Sequence, residues 1–163
     1  MELLVPPAHP DNIAPEEFLA RISTVRAALE KAKLVGLVAF GDCWRGANIT
    51  YFTEFRPLDG VTDIANAVFL LGVDAAPVLF VSEQTLACAR SVTLFEVCSL
   101  RELTDRIRAF ADRHRTGKVG LAGAAYVRAS VLDRVRAGLG QVELETTTVL
   151  AEIKAIKSEA ELR

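Results

Sequence analysis

The sequence predicts an α/β domain of three layers, α/β/α, built on a mixed sheet of about five to six strands. Three observations carry this expectation. Segments with helical apolar spacing alternate with short apolar runs along the chain. Two of the short runs, Ala67–Leu71 and Val78–Val81, are separated only by the turn-rich stretch Gly72-Val73-Asp74-Ala75-Ala76-Pro77, so one pair of strands should be antiparallel. Several helical segments also open on residues suited to capping. The order reads α, β, ββ, α, β, α, β, α, β, α, which places helices on both faces of the sheet.

Each element has a local reason. Residues 1–14 contain three prolines and read as an extended N-terminal arm. Pro15 suits the first helical position, and Glu16 and Glu17 sit well at the positive end of a helix dipole. Phe18, Ile22, Val25 and Leu29 then give one apolar face as far as about Lys33. Leu34–Phe40 is a nearly continuous apolar run, as expected of a strand covered on both faces. Residues 41–66 hold no long period and read as loop and short helix. After the hairpin, Ser82 is placed to cap a helix that turns Leu86 and Ala89 inward, and Leu94–Val97 reads as a strand. Ser99 and Glu102 have the spacing of a capping box, followed by Leu103, Ile107 and Phe110 on one face. Val119–Ala122 is a strand, and Val127, Val131 and Val135 with Leu132 and Leu139 mark a helix ending near Gly138 or Gly140. Val142–Leu144 is a short strand. Val149, Ile153 and Ile156 would line the inner face of a last helix.

Bulk properties narrow the function. At 163 residues the chain is one domain long enough to bury a core, and with just over half its residues apolar it is globular rather than disordered. A net charge of −2 with no basic run argues against nucleic acid as a partner. No apolar run approaches a membrane-spanning length and no signal peptide is visible, so a cytoplasmic protein is expected. The three cysteines, Cys43, Cys88 and Cys98, form no C-x-x-C pair, which speaks against both a disulfide framework and a zinc site; Cys88 and Cys98 are expected as buried small hydrophobes. With only His9 and His114 as imidazoles and the acids scattered singly, no metal-ligand cluster or catalytic set can be assigned.

The best candidate for chemistry is the loop Gly41-Asp42-Cys43-Trp44-Arg45-Gly46-Ala47-Asn48. It follows the carboxyl end of a buried strand, where open α/β sheets tend to place ligands. It gathers the sole tryptophan, Trp44, with Asp42 and Arg45. The plain alternative is that Trp44 packs on a neighbouring segment and Arg45 pairs with a local acid. Arg56 is a second candidate. Asn48 is expected to cap a short helix, and Tyr51 to bury its ring. Cys43 as a nucleophile would need a base beside it, and neither histidine has a claim to be near.

The chain's last residues offer two readings. In one, Ser158 and Glu161, which have capping-box spacing, start a new helix. Alternatively, Ser158–Arg163 finish a helix running from about Thr148. Ile156–Arg163, IKSEAELR, resembles the segment that joins the two domains of creatinase/prolidase-type proteins, the pita-bread hydrolases. EEFLARISTVRAALEKAKLVGLVAF and NITYFTEF resemble that family's opening, with an Arg-bearing helix, a buried strand and an Asn-x-x-Tyr-aromatic-Thr-x-Phe segment. Residues 67–81 resemble its central hairpin, and residues 118–157 its last strand–helix–strand unit and linker helix.

The resemblance implies a creatinase/prolidase N-terminal domain: an α/β domain over 15–147 and a linker helix over 148–163 leading towards a C-terminal catalytic domain outside this sequence. It implies a non-catalytic role in subunit association, as a homodimer, and in access to the partner's active site, with Asp42, Trp44, Arg45 and Arg56 as the access residues. The carry-over to Arg56 is loose, since the residues after Phe55 do not align cleanly with the family's substrate-contacting arginine. It places two divalent ions (Mn, Co or Zn) in the other domain and no cofactor here. The parent would cleave an X-Pro bond or the C–N bond of a small amidino compound. A stand-alone α/β ligand-binding or scaffolding domain is one alternative, and an autonomous enzyme using the 41–56 loop is another.

Overall fold

The strand Gly36–Asp42 (β1) is buried along its whole length, because side chains alternate into two separate cores. Leu37 and Ala39 join one core and Val38 and Phe40 the other. A computed structural model describes residues 13–57, 59–60, 63–64 and 66–157. The expected N-terminal arm, save Ile13 and Ala14, and the Ser158–Glu161 pair lie outside these residues.

Helix α1 (Pro15–Lys31) leads into β1 and is followed by the short helix α2 (Ala47–Thr50). A two-residue pair, β2 (Asp59–Gly60) with β3 (Asp63–Ile64), forms a small separate sheet that the sequence did not announce. The hairpin expected at 67–81 is present as β4 (Asn66–Gly72) and β5 (Val78–Val81), paired antiparallel. Helix α3 (Leu86–Val92), strand β6 (Glu96–Ser99), helix α4 (Leu103–Arg113), strand β7 (Lys118–Ala122), helix α5 (Ala129–Leu139), strand β8 (Glu143–Thr146) and helix α6 (Val149–Ala155) complete the chain. The main sheet has six strands in the order β6-β5-β4-β1-β7-β8. β1 pairs antiparallel with β4 and parallel with β7, so the sheet is mixed as expected.

The two cores define the layers. On one face α1, α6 and the 49–55 segment cover the sheet, with Ile22, Val25, Leu29, Phe52 and Leu150 against Leu37, Phe69 and Leu79. On the other, α4 and α5 present Leu103, Ile107, Val135 and Leu139 to Val38, Val68 and Phe80. The capping box before α4 forms: Ser99 Oγ accepts from the Arg101 amide at 3.1 Å, and Glu102 Oε1 accepts from the Ser99 amide at 3.2 Å.

Four local expectations are corrected. Ser82 does not cap by bonding a backbone amide; its hydroxyl meets Thr85 Oγ1 at 3.0 Å, and the first turn, Glu83–Thr85, winds as a tighter 3-10 turn. Cys88 is exposed, since it stands on the outer side of the short α3 whose inner residue is Ala89. Leu94 is exposed and precedes the strand. Ile156 is 82% exposed: α6 ends at Ala155 and Ile156 is extended, so the helical period no longer returns it to the core. Leu150 takes the buried position instead. That ending also rules out one continuous helix from Thr148 through Ser158.

Candidate functional site

The β1 strand delivers Asp42 to the carboxyl edge of the sheet, and the chain must turn there at once. Gly41 permits this, since a Cβ at that position would stand 2.6 Å from Ile49 Cγ1. Asp42 then organises the turn. Its Oδ1 accepts from the backbone amides of Trp44 at 3.0 Å and Arg45 at 2.8 Å, and its Oδ2 accepts from Arg45 Nη2 at 2.6 Å. Asp42 is only 3% exposed. Burial by itself would raise its pKa, but the hydrogen bonds from the Arg45 side chain and from the two amides outweigh that and hold the carboxyl below its ordinary value. Asp42 is therefore an ionised, fully engaged structural anion.

Arg45 is half-exposed and lies over the ring of Tyr126, with its guanidinium carbon 4.6 Å from the ring centre. Tyr126 is placed by Gly123, whose φ of +92° turns the chain sharply after β7 and whose hydrogen-only side chain leaves room for Phe40 O and the Tyr126 ring. Burial pushes the Tyr126 phenol up, so it stays protonated. Asn48 Nδ2 donates to Tyr126 Oη at 2.7 Å and to Phe40 O at 3.2 Å, and Asn48 Oδ1 accepts from Lys154 Nζ at 2.8 Å. Asn48 is thus not a helix cap: it stands inside α2, buried, and ties three segments together. Tyr51 does bury its ring, at 7% exposure. Its carbonyl accepts from Arg21 Nη1 at 3.0 Å, and the Arg21 guanidinium lies 4.9 Å from its ring centre.

Of the residues singled out from sequence, Asp42, Arg45 and the Trp44 backbone come together. The Trp44 side chain is 77% exposed, so it does not pack on a neighbouring segment, while Arg45 does pair with a local acid. Arg56 is exposed, and among the described residues no bond joins it to this cluster. His114 does not reach Cys43's loop; its Nε2 is 3.2 Å from Asp74 Oδ1, in the turn of the β4–β5 hairpin. Tyr126 and Lys154 were not foreseen. Their partners are 78 and 106 residues away in sequence, beyond the reach of any local pattern. Among the described residues no group of three or more His, Cys, Asp or Glu side chains could hold a metal ion. The one buried carboxylate of the cluster is ion-paired and its oxygens are taken up by Arg45 and the loop amides, which leaves it poorly placed to act as a general base. It can hold a loop rigid and offer an indole and a half-exposed cation to something outside.

The match that places the chain is one of family. The Creatinase/Prolidase N-terminal domain family model covers residues 21–155, and the chain belongs to that family. Among solved structures it is similar to the N-terminal domain of the cytoplasmic peptidase PepQ from Mycobacterium tuberculosis, at 20% identity and a TM-score of 0.63, covering 82% of this chain and 98% of that one. Dipeptidase PepE from Mycobacterium ulcerans gives a TM-score of 0.67 at 19% identity, over 93% of this chain and 40% of that one. X-Pro aminopeptidase from Thermotoga maritima gives 0.67 at 14% identity, over 86% of this chain and 37% of that one. At such identities the likeness is one of fold. No curated protein matches the chain in sequence.

Proposed function

We propose that this chain is the non-catalytic N-terminal domain of an Xaa-Pro peptidase or related C–N hydrolase, serving subunit association and access to a partner's active site. Its family supports this, as do neighbours named as X-Pro aminopeptidase and dipeptidase, of whose chains it spans only 37% and 40%. The observation that carries the access role is Trp44, an exposed indole on a loop whose backbone Asp42 locks in place. Asp42 and Arg45 would hold the loop, Trp44 would touch the partner, and Arg56 would extend the same surface. The domain would run over 15–147, with α6 leading out of it. Two divalent ions (Mn, Co or Zn) would belong to the other domain, as the family resemblance implies. The working form would be a cytoplasmic homodimer. Among the described residues no helix is long and apolar enough to cross a membrane.

The test is the reading frame beyond Arg163. The proposal expects a second domain's length of about 50–250 residues carrying Asp, Asp, His, Glu and Glu in that order. A stop codon directly after Arg163 would favour a stand-alone binding domain instead.

A further inference from the structure

Asn48 has one acceptor oxygen and two donor hydrogens, and the structure uses all three. Phe40 O can only accept and the Lys154 ammonium can only donate, so the amide has a single orientation that satisfies both. Its remaining hydrogen goes to Tyr126 Oη, and the Tyr126 ring carries the Arg45 guanidinium. Arg45 and the Trp44 amide are held in turn by Asp42. An unbroken path of contacts therefore runs from Lys154 on α6 to the Trp44 backbone. The helix is held differently at its two ends. Leu150, fully buried, pins the first turn in the core, while Ile153 in the last turn packs against it only partly buried. The last turn leads to the exposed Ile156, and there Lys154 reaches back to the sheet edge.

We propose that Lys154 is a positioning residue that couples the placement of α6 to the conformation of the 42–48 loop, with the Asn48 amide as the hinge between them. Moving the end of α6, as docking of a following domain would, withdraws the ammonium and leaves a buried amide oxygen without its donor. The amide then keeps only its donor contacts, its hold on Tyr126 weakens and the Trp44–Arg45 loop loosens. The proposed access role of Trp44 gives this coupling its purpose, but the coupling can be read without any activity.

Amide hydrogen exchange on the 163-residue chain tests it. Lys154→Met should speed exchange of the Trp44 and Arg45 amides about fivefold, while amides of β4 stay unchanged. Lys154→Arg, which restores a donor, should return the loop to its original rate. Asn48→Ala should loosen the loop as well, and adding Lys154→Met to it should bring no further change. Unchanged exchange at Trp44 and Arg45 in Lys154→Met overturns the coupling, and so does an equal rise in β4, which would mean general destabilisation. Such failures leave the hydrolase-domain reading standing, and a stop codon after Arg163 would leave a positive exchange result standing.

Discussion

The Arg45 guanidinium lies 4.6 Å above the centre of the Tyr126 ring, which joins the turn after β1 to the segment after β7. Beside its packing on the Phe40 ring, two polar contacts meet at that tyrosine, one from Arg45 at its face and one from Asn48 at its hydroxyl. Tyr126→Phe keeps the face and removes the hydroxyl, and should cost about 1 kcal/mol in chemical denaturation. Tyr126→Leu removes both and should cost a further ~0.5–1 kcal/mol. Equal losses for the two variants would show that Arg45 gains nothing from the ring.

Asp42 predicts a pH dependence with a definite sign. Its folded pKa is depressed, so the stability it contributes is present above the unfolded value of about 4 and is lost as pH falls through the lower folded value. Asp42→Asn should cost about 1–3 kcal/mol near pH 7. The gap between parent and variant melting temperatures should close as pH drops below about 4. A gap that is constant across that range would contradict the ionised assignment.

Gly138 sets two opposed effects against each other. In an ordinary helix interior Gly→Ala gains about 1 kcal/mol. Here the new Cβ would stand 2.7 Å from Thr104 O and 2.8 Å from Ile107 Cβ, and the first of these is backbone. Relieving such contact costs about 1–3 kcal/mol by pushing α5 off α4. Gly138→Ala should therefore lower the denaturation midpoint. A raised midpoint would mean that the helices separate easily.

What was legible in the sequence is what depends on near neighbours. The face of α4 and its Ser99–Glu102 box lie within a few residues of each other, and the β4–β5 hairpin is announced by the turn between its strands. The loop after β1 could be located because it follows a buried run and concentrates Asp42, Trp44 and Arg45. Its internal logic could not be read. Asn48 looks like a cap until Tyr126 and Lys154 arrive from distant segments, and Ile156 looks like a core residue until the backbone extends after Ala155. The β2–β3 pair is too short to leave a period in the sequence.

Association is the next expectation. The Trp44 side chain, 77% exposed, and Ile156, 82% exposed, are apolar surface beyond the needs of the core. If copies pair through the Trp44 loop, the contact should be isologous about a two-fold axis. Sedimentation across a wide concentration range should show a weak dimer, and Trp44→Ala should weaken it about tenfold or more, as loss of an interface tryptophan does. A strict monomer removes the association role, and a dimer indifferent to Trp44→Ala moves the interface elsewhere.

Proline release from an X-Pro dipeptide with added Mn²⁺ or Co²⁺, run beside elemental analysis of bound metal, separates a non-catalytic domain from an autonomous enzyme. This 163-residue chain alone should release no proline and hold no stoichiometric metal. Turnover that follows the 163-residue chain through purification, or metal bound to it one-to-one, would overturn the non-catalytic reading.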